Sequence, residues 1–277
     1  MLYPLLIKLP SYIESSTELI CQIKDSTFND ECVLLQADIE NMYPSIDTQD
    51  GLSTLHEILE IDNTYNKHQQ DIIINLTEWV LTNNYMTFDN HIYKQLNGTS
   101  MGTSLSVTYA CLYIGYKEQQ AINLFKFRKF NDPLLYKRLI DDCAGIFHNH
   151  THAQNFMQIM EQLTNEKIRF EYIISDKELT FLDMKIFKDN SFKTNNKLAT
   201  ILFQKENNKY LFIPPFSEHA PCIYKAWITD YTIRIRILCS HDKDYQSYKQ
   251  LFYTRLIERG YKKKFLQKIF DKQHNRL

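Results

Sequence analysis

Glycine and proline are scarce here, six and seven among 277 residues, so neither a flexible linker nor a low-complexity tail is expected. The six cysteines (Cys21, Cys32, Cys111, Cys143, Cys222 and Cys239) include no CxxC pair and no metal-ligand spacing. Several sit in apolar runs, so they read as buried free thiols in a reducing compartment. No apolar run approaches the roughly 20 residues of a membrane span. The opening MLYPLLIKLP lacks a basic region and a small-residue cleavage site, so it is no secretory signal. A soluble intracellular protein is the expectation. Arginine is absent from residues 1–100, where four lysines face fifteen Asp or Glu, a charge of −11. The whole chain carries −1, which leaves +10 for residues 101–277. An acidic half and a basic half suit a protein that gathers cations in one place and phosphates in another, although charge alone favours the plainer reading of unequal solvated surfaces. Aromatics are plentiful, 18 Tyr and 17 Phe, and serve packing or base stacking.

Periodicity supplies the organisation. Residues 32–39 (CVLLQADI) form an apolar run that reads as a buried strand. Leu52, Leu55, Ile58 and Leu59 follow helical spacing, with Asp47, Thr48 and Asp50 available as caps. A second helix carries Ile72, Ile73, Leu76, Trp79 and Val80, and 85–95 alternates about Asp89-Asn90 as a hairpin. A long helix is expected from about Leu105 to Phe125, and residues 135–147 read as two strands pinched around Asp141-Asp142. A helix at 151–165 and strands near 168–174, 179–187 and 198–204 follow. The chain finishes in a basic amphipathic segment, 255–276. Strands and helices without regular βαβ alternation indicate an α+β fold.

Three segments carry the chemistry. ADIENMYPSID (37–47) ends a strand in an Asp and places Tyr43 five residues on. NGTSMGTSLSVTYA (97–110) is a glycine-containing turn feeding a helix of small residues. RLIDDCAGIF (138–147) puts paired carboxylates at a hairpin tip. Singly, these read as a helix cap, a punctuation mark and a polar turn. In this order and spacing they match nucleotidyl transfer, in which two divalent ions about 4 Å apart activate a 3′-hydroxyl and stabilise the leaving pyrophosphate. Mg²⁺ takes oxygen ligands from one or two carboxylates plus phosphates and waters. Asp38 and Asp141 would bridge two ions, Asp142 would support them, and the Ile39 carbonyl would help hold one. Tyr43 would lie under the incoming sugar, and the small residues after Met101-Gly102 would admit the nascent base pair.

DIENMYPSI, NGTSMGTSLSVTYACLYIGYKE and LIDDCAGIF resemble motifs A, B and C of retroelement reverse transcriptases, most closely those of Penelope-like elements. The similarity continues through IRFEYIISDKELTFLDMKIF (168–187), YLFIPPFSEHAP (210–221) and LIERGY (256–261), and so covers nearly the whole chain. The resemblance implies a right-hand polymerase: an antiparallel palm sheet flanked by helices over 1–190, with a remnant of the fingers at its start, and a helical, thumb-like primer–template region over 191–277. It implies Asp38, Asp141 and Asp142 as metal ligands and catalytic carboxylates for two Mg²⁺ ions, with Mn²⁺ as a substitute. Tyr43 becomes the steric gate, Met101 and Gly102 line the nucleotide and template pocket, and Phe181, Leu182 and Asp183 form the primer grip. Either Lys167 or Lys177 would protonate the pyrophosphate.

The implied partners are an RNA or DNA template with its primer, and dNTPs; the implied compartment is the nucleus. Leu139 stands where the family usually has Tyr, and Ala220 precedes Pro221 in the stretch near His219. With 37 residues before Asp38, the upstream fingers are expected to be largely missing, to be supplied by another segment. Residues 255–277 carry Arg255, Arg259, Lys262, Lys263, Lys264, Lys268, Lys272 and Arg276 against Glu258 and Asp271, a charge of +6. Lys262, Lys263 and Lys264 on a thumb helix would contact primer–template phosphates. Two rivals stand beside this reading. An RNA-dependent RNA polymerase shares the palm, but the aromatic at position 43 opposes ribonucleotides. A degenerate copy would bind nucleic acid without polymerising.

Overall fold

The computed structural model describes residues 1–205 and 207–274, with 272–274 described by backbone alone. In chain order the elements begin with α1 (Tyr3–Leu6), α2 (Ser16–Asp25), β1 (Val33–Glu40), α3 (Met42–Ser45), α4 (Thr48–Ile61) and α5 (Lys67–Thr82). They continue with β2 (Tyr85–Phe88), β3 (His91–Lys94), α6 (Ser106–Phe127), β4 (Leu135–Leu139), β5 (Asp142–Phe147) and α7 (His150–Leu163). The remainder are β6 (Arg169–Ser175), β7 (Glu178–Phe181), β8 (Met184–Phe187), α8 (Phe192–Asn195), β9 (Ala199–Leu202), α9 (Pro221–Leu238), α10 (Asp242–Glu258) and α11 (Lys263–His274). The fold is α+β, as the mixed pattern implies. The chain divides into two compact units: residues 1–15 with 29–179, and residues 16–28 with 180–277. Among the described residues no helix is long and apolar enough to cross a membrane.

In the first unit an antiparallel sheet runs β4-β5-β1-β6. Period-2 alternation sends Val33, Leu35, Ala37 and Ile39 of β1 into a core shared with α6 and α7. Gln36, Asp38 and Glu40 therefore face the other side. Helix α4 starts where the sequence signals it: the Asp47 side chain accepts hydrogen bonds from the Gln49 and Asp50 backbone. Helix α5 opens with a capping box between Asn66 and Gln69. The β2-β3 hairpin turns through Asp89 and Asn90, both at positive φ (47° and 59°), residue types that tolerate the primed turn.

The second unit holds the sheet β7-β8-β9 and the helices α2 and α8–α11. Two expectations are corrected here. The strand expected over 179–187 is a hairpin that reverses at Leu182-Asp183, with Leu182 at φ +55°. The Asp183 carboxylate accepts two 2.6 Å hydrogen bonds from the Arg234 guanidinium, and its carbonyl accepts one from the Phe203 backbone at 2.8 Å. That local anchoring overrides an apolar pattern that reads as continuous. Likewise the basic segment 255–276 is not one helix. It breaks at Gly260 (φ +103°), whose N–H reaches the Ile257 carbonyl while the Tyr261 N–H reaches that of Leu256. This pair of bonds is the Schellman arrangement that ends a helix. The side chain of Lys272 and all of Arg276 lie outside the described residues. Four of the cysteines are buried, as their apolar runs imply, whereas Cys21 and Cys222 are exposed.

Gly260→Ala tests the break. The nearest atom to an added Cβ is Pro215 Cγ at 3.6 Å, so the substitution fits and its cost is the backbone conformation. A loss of about 1–2 kcal/mol in denaturant unfolding is expected, with Gly260→Asn costing less.

Candidate active site

β1 and β5 pair in antiparallel register, Val33 with Phe147 through Ala37 with Cys143. One residue further along, the register sets Asp38 beside Asp142. Cys143 belongs to the core, so Asp142 shares the non-core face with Asp38. Leu139 pairs with Asp142, which leaves Ile140 and Asp141 as the two-residue hairpin turn. Ile140 sits at φ +59°, a strained conformation for a β-branched residue. Asp38 and Asp141 are exposed and Asp142 is half-buried. Ile39 turns its side chain into the core. On the other flank of β1, Asp38 pairs with Glu171 of β6. The Glu171 carboxyl is held above its usual range, first by a hydrogen bond with Glu40 and then by the charges of Glu40 and Asp38. Anionic charge thus crowds the end of β1.

What fixes the strained turn lies beneath it. Arg138 faces inward from β4 and is fully buried. Its Nε donates to Glu118 Oε1 of α6 at 2.7 Å and its Nη2 to Glu118 Oε2 at 3.1 Å. Nη2 also reaches the Cys111 carbonyl at 3.0 Å, and Nη1 reaches the Ile140 carbonyl at 2.9 Å. Ser11 Oγ donates to the same Glu118 carboxylate. Burial alone disfavours the guanidinium charge, but the adjacent carboxylate more than offsets it and keeps Arg138 protonated. Sequence reasoning missed both residues. The available signal was an arginine at an inward-facing position of an apolar strand.

The turn before α6 is clipped to the loop after β1 by three consecutive residues. Asn97 Oδ1 accepts from the Thr48 backbone at 2.9 Å and from its hydroxyl at 3.2 Å. Gly98 (φ +78°) lies so close to Pro44 that a Cβ would stand 2.6 Å from its Cα. The Thr99 N–H donates to the Tyr43 carbonyl at 2.9 Å. Buried Ser106 ties the turn internally, bonding the Thr99 and Thr103 hydroxyls and the Ser100 carbonyl. Tyr43 itself follows Asn41, whose left-handed φ of 48° ends the strand. Its phenol is half-buried and shifted upward by burial, then by Cys111 and Asp141, which places it in the field of the hairpin tip. Met101 is exposed, and nothing lies within 4 Å of a Cβ built on Gly102. That leaves open space in front of the turn.

The other expected residues divide between the two units. Lys167 pairs with Asp47 at 2.9 Å, while Lys177 is exposed at the end of the sheet. Phe181, Leu182 and Asp183 belong to the second unit, with Phe181 buried and Asp183 bound by Arg234. Lys262, Lys263 and Lys264 are exposed about the start of α11. For a metal, the donor chemistry fits a hard cation, since Asp38, Asp141 and Asp142 offer oxygen alone. Among the described residues no three His, Cys, Asp or Glu side chains converge as a preformed cage. Mg²⁺ does not require one, because it retains waters and draws ligands from bound phosphates.

Comparison with known proteins agrees on the fold. The telomerase of Candida albicans, solved with a fragment of telomeric RNA, matches 99% of this chain and 49% of its own at 12% identity, TM-score 0.72. The RNA-dependent RNA polymerase of a human picobirnavirus matches 93% of this chain and 48% of its own at 13% identity, TM-score 0.60. Apo telomerase from Candida tropicalis matches 69% and 40% at 16% identity, TM-score 0.52. The chain spans about half the length of these polymerases or less. Its fold is therefore that of a polymerase palm with a helical C-terminal region. Residues 211–271 match the animal helix-turn-helix domain family. No curated protein sequence matches the chain.

Removing Arg138 alone strands a buried carboxylate. Arg138→Met is expected to cost about 3–5 kcal/mol in urea unfolding. The double variant Arg138→Met/Glu118→Leu should recover most of that loss, because neither charge is then left unpaired. Equal losses in the single and double variants would refute the account.

Proposed function

We propose that this chain is the core of an RNA-directed DNA polymerase that extends a primer 3′-hydroxyl on a template. One observation carries the reading: Asp38 and the Asp141-Asp142 pair sit at the ends of neighbouring antiparallel strands, with the Tyr43 phenol under the influence of Asp141. A polymerase fold with this placement supports nucleotidyl transfer over a polar turn of no function. The RNA bound to Candida albicans telomerase supports a nucleic-acid partner. The motif sequences support a retroelement origin of the Penelope-like kind.

Asp38, Asp141, Asp142 and the Ile39 carbonyl would hold Mg²⁺, or Mn²⁺ in its place, which when bound would supply activation of the primer hydroxyl and charge neutralisation at the leaving pyrophosphate. The chain's own residues do the rest. Arg138, through the Ile140 carbonyl, holds the hairpin that presents Asp141. The Tyr43 ring, fixed by the Thr99 bond to its carbonyl, blocks a 2′-hydroxyl. Met101 and Gly102 border the space for the nascent pair, Phe181 to Asp183 grip the primer, and Lys262 to Lys264 meet phosphates of the primer–template. In this reading residues 1–190 are the palm and 191–277 the thumb-like region.

Asp141→Asn is isosteric and exposed, so the fold should survive while primer extension falls by about 10²-fold or more. Extension at the unaltered rate would sink the carboxylate assignment. A wild-type chain that binds primer–template yet extends it with neither Mg²⁺ nor Mn²⁺ would favour the degenerate, binding-only alternative.

Tyr43→Val separates a DNA polymerase from an RNA polymerase. Discrimination by a clash is a repulsive device. Loss of the ring should therefore raise the ratio of rNTP to dNTP kcat/KM by roughly tenfold or more. A tyrosine that serves packing alone would lower both values together. Competing dNTP and rNTP on one template reads the ratio directly.

A further inference from the structure

Two stretches singled out in the sequence, 210–221 and 256–261, meet in the second unit and form a cleft of about 430 Å³, whose aromatic walls the polymerase reading does not use. The loop side is held in place. Arg259 Nε donates to the Phe212 carbonyl at 2.8 Å and the Tyr261 hydroxyl to that of Ile213 at 2.7 Å. The Tyr224 hydroxyl donates to the Ser217 carbonyl. Aromatic rings make the walls: Tyr261 and Phe265 lie nearly parallel, their planes 19° apart, and Tyr224 stands edge-on to Tyr261 at 65°. Phe216 sits on the anchored loop and is 82% exposed. Leaving such a ring in water forgoes its burial, a cost that a ligand covering the ring removes. Lys262 lines the cleft, and Lys263 and Lys264 follow it. Over 210–221 and 256–265, Arg259 and Lys262 to Lys264 stand against Glu218 and Glu258, a balance of +2.

We propose that this cleft binds an unpaired nucleobase of a single-stranded nucleic acid, stacked on Phe216 and Phe265, with the neighbouring phosphates met by Lys262 and the lysines after it. Flat aromatic walls take any base by its face, and adjoining cations take the backbone, the combination that binds single strands without sequence preference. At about 430 Å³ the space falls at the small end of ligand-sized pockets and suits one or two rings rather than a helix. Because the loop is already tied down, little ordering is required on binding. The inference shares Lys262 to Lys264 with the primer–template contact proposed above and adds the aromatic walls, so its test reads base-dependent binding of single strands and leaves synthesis aside.

The probe is a short oligonucleotide carrying 2-aminopurine, titrated against the full chain, beside a strand of the same length with abasic sites. Phe216→Ala should weaken the base-bearing strand roughly tenfold, abolish quenching of the 2-aminopurine and leave the salt slope unchanged. Phe216→Trp, which restores a flat ring, should retain both affinity and quenching. Lys262→Gln should instead lower the slope of log K against log salt by about 0.7. Unchanged quenching in Phe216→Ala, or an equal loss on the abasic strand, would overturn the proposal. So would a proline-rich peptide that binds with Phe216 dependence while the oligonucleotide shows none, because that would assign the cleft to extended peptides.

Discussion

A fully buried arginine is the part of this molecule on which most of the candidate site depends. Arg138 cannot reach water, so each of its donors must find an acceptor within the protein. Those acceptors lie on two segments: Glu118 and Cys111 on α6, and Ile140 in the hairpin turn. Glu118 in turn takes the Ser11 hydroxyl from the segment after α1. Satisfying one guanidinium therefore fixes the end of the sheet against the long helix and against the chain start. A hydrophobic pair of equal volume would cost less to bury. It would not hold the Ile140 carbonyl, and the left-handed turn that exposes Asp141 would lose its restraint.

A second constraint joins two loops distant in sequence. Asn97, Gly98 and Thr99 each touch the loop after β1, at Thr48, Pro44 and Tyr43 respectively. Six glycines in the whole chain leave few to spare, and Gly98 stands where both its φ and its closeness to Pro44 exclude a side chain. Gly102 has the opposite surroundings, with open space before it. One glycine in this turn serves contact within the protein, and the other borders room for something else.

The second unit follows the same logic with different chemistry. Arg234 grips Asp183 and Ser16 at the β7-β8 turn. The Phe212, Trp227 and Phe252 rings pack together with centroids 5.2 to 5.9 Å apart, which binds the 210–221 loop to α9 and α10. The helix break at Gly260 then turns Tyr261 and Phe265 towards that loop, and the cleft is the result. An unbroken helix would have spread those rings along a rod.

Much of this was legible in the residues. The apolar run CVLLQADI set the strand. The spacing of Leu52, Leu55 and Leu59 set α4 behind its Asp47 cap, Asp89-Asn90 set the hairpin, and the α+β class followed from their order. These are local signals, written in periods of two and 3.6 and in turn chemistry. Asp38, Tyr43, Asp141 and Asp142 were singled out for the same reason, since strand ends and hairpin tips are local features. What the sequence alone did not determine depends on partners far along the chain. Arg138 reads as one more basic residue until Glu118 closes on it from twenty positions away. Leu182-Asp183 reads as mid-strand until Arg234 binds the carboxylate, and Phe216 and Tyr261 read as scattered aromatics until Gly260 brings them to one cleft. A buried charge, a strained turn and a shared wall are each stabilised by contacts between distant segments, and no local window of sequence contains both halves of such a contact.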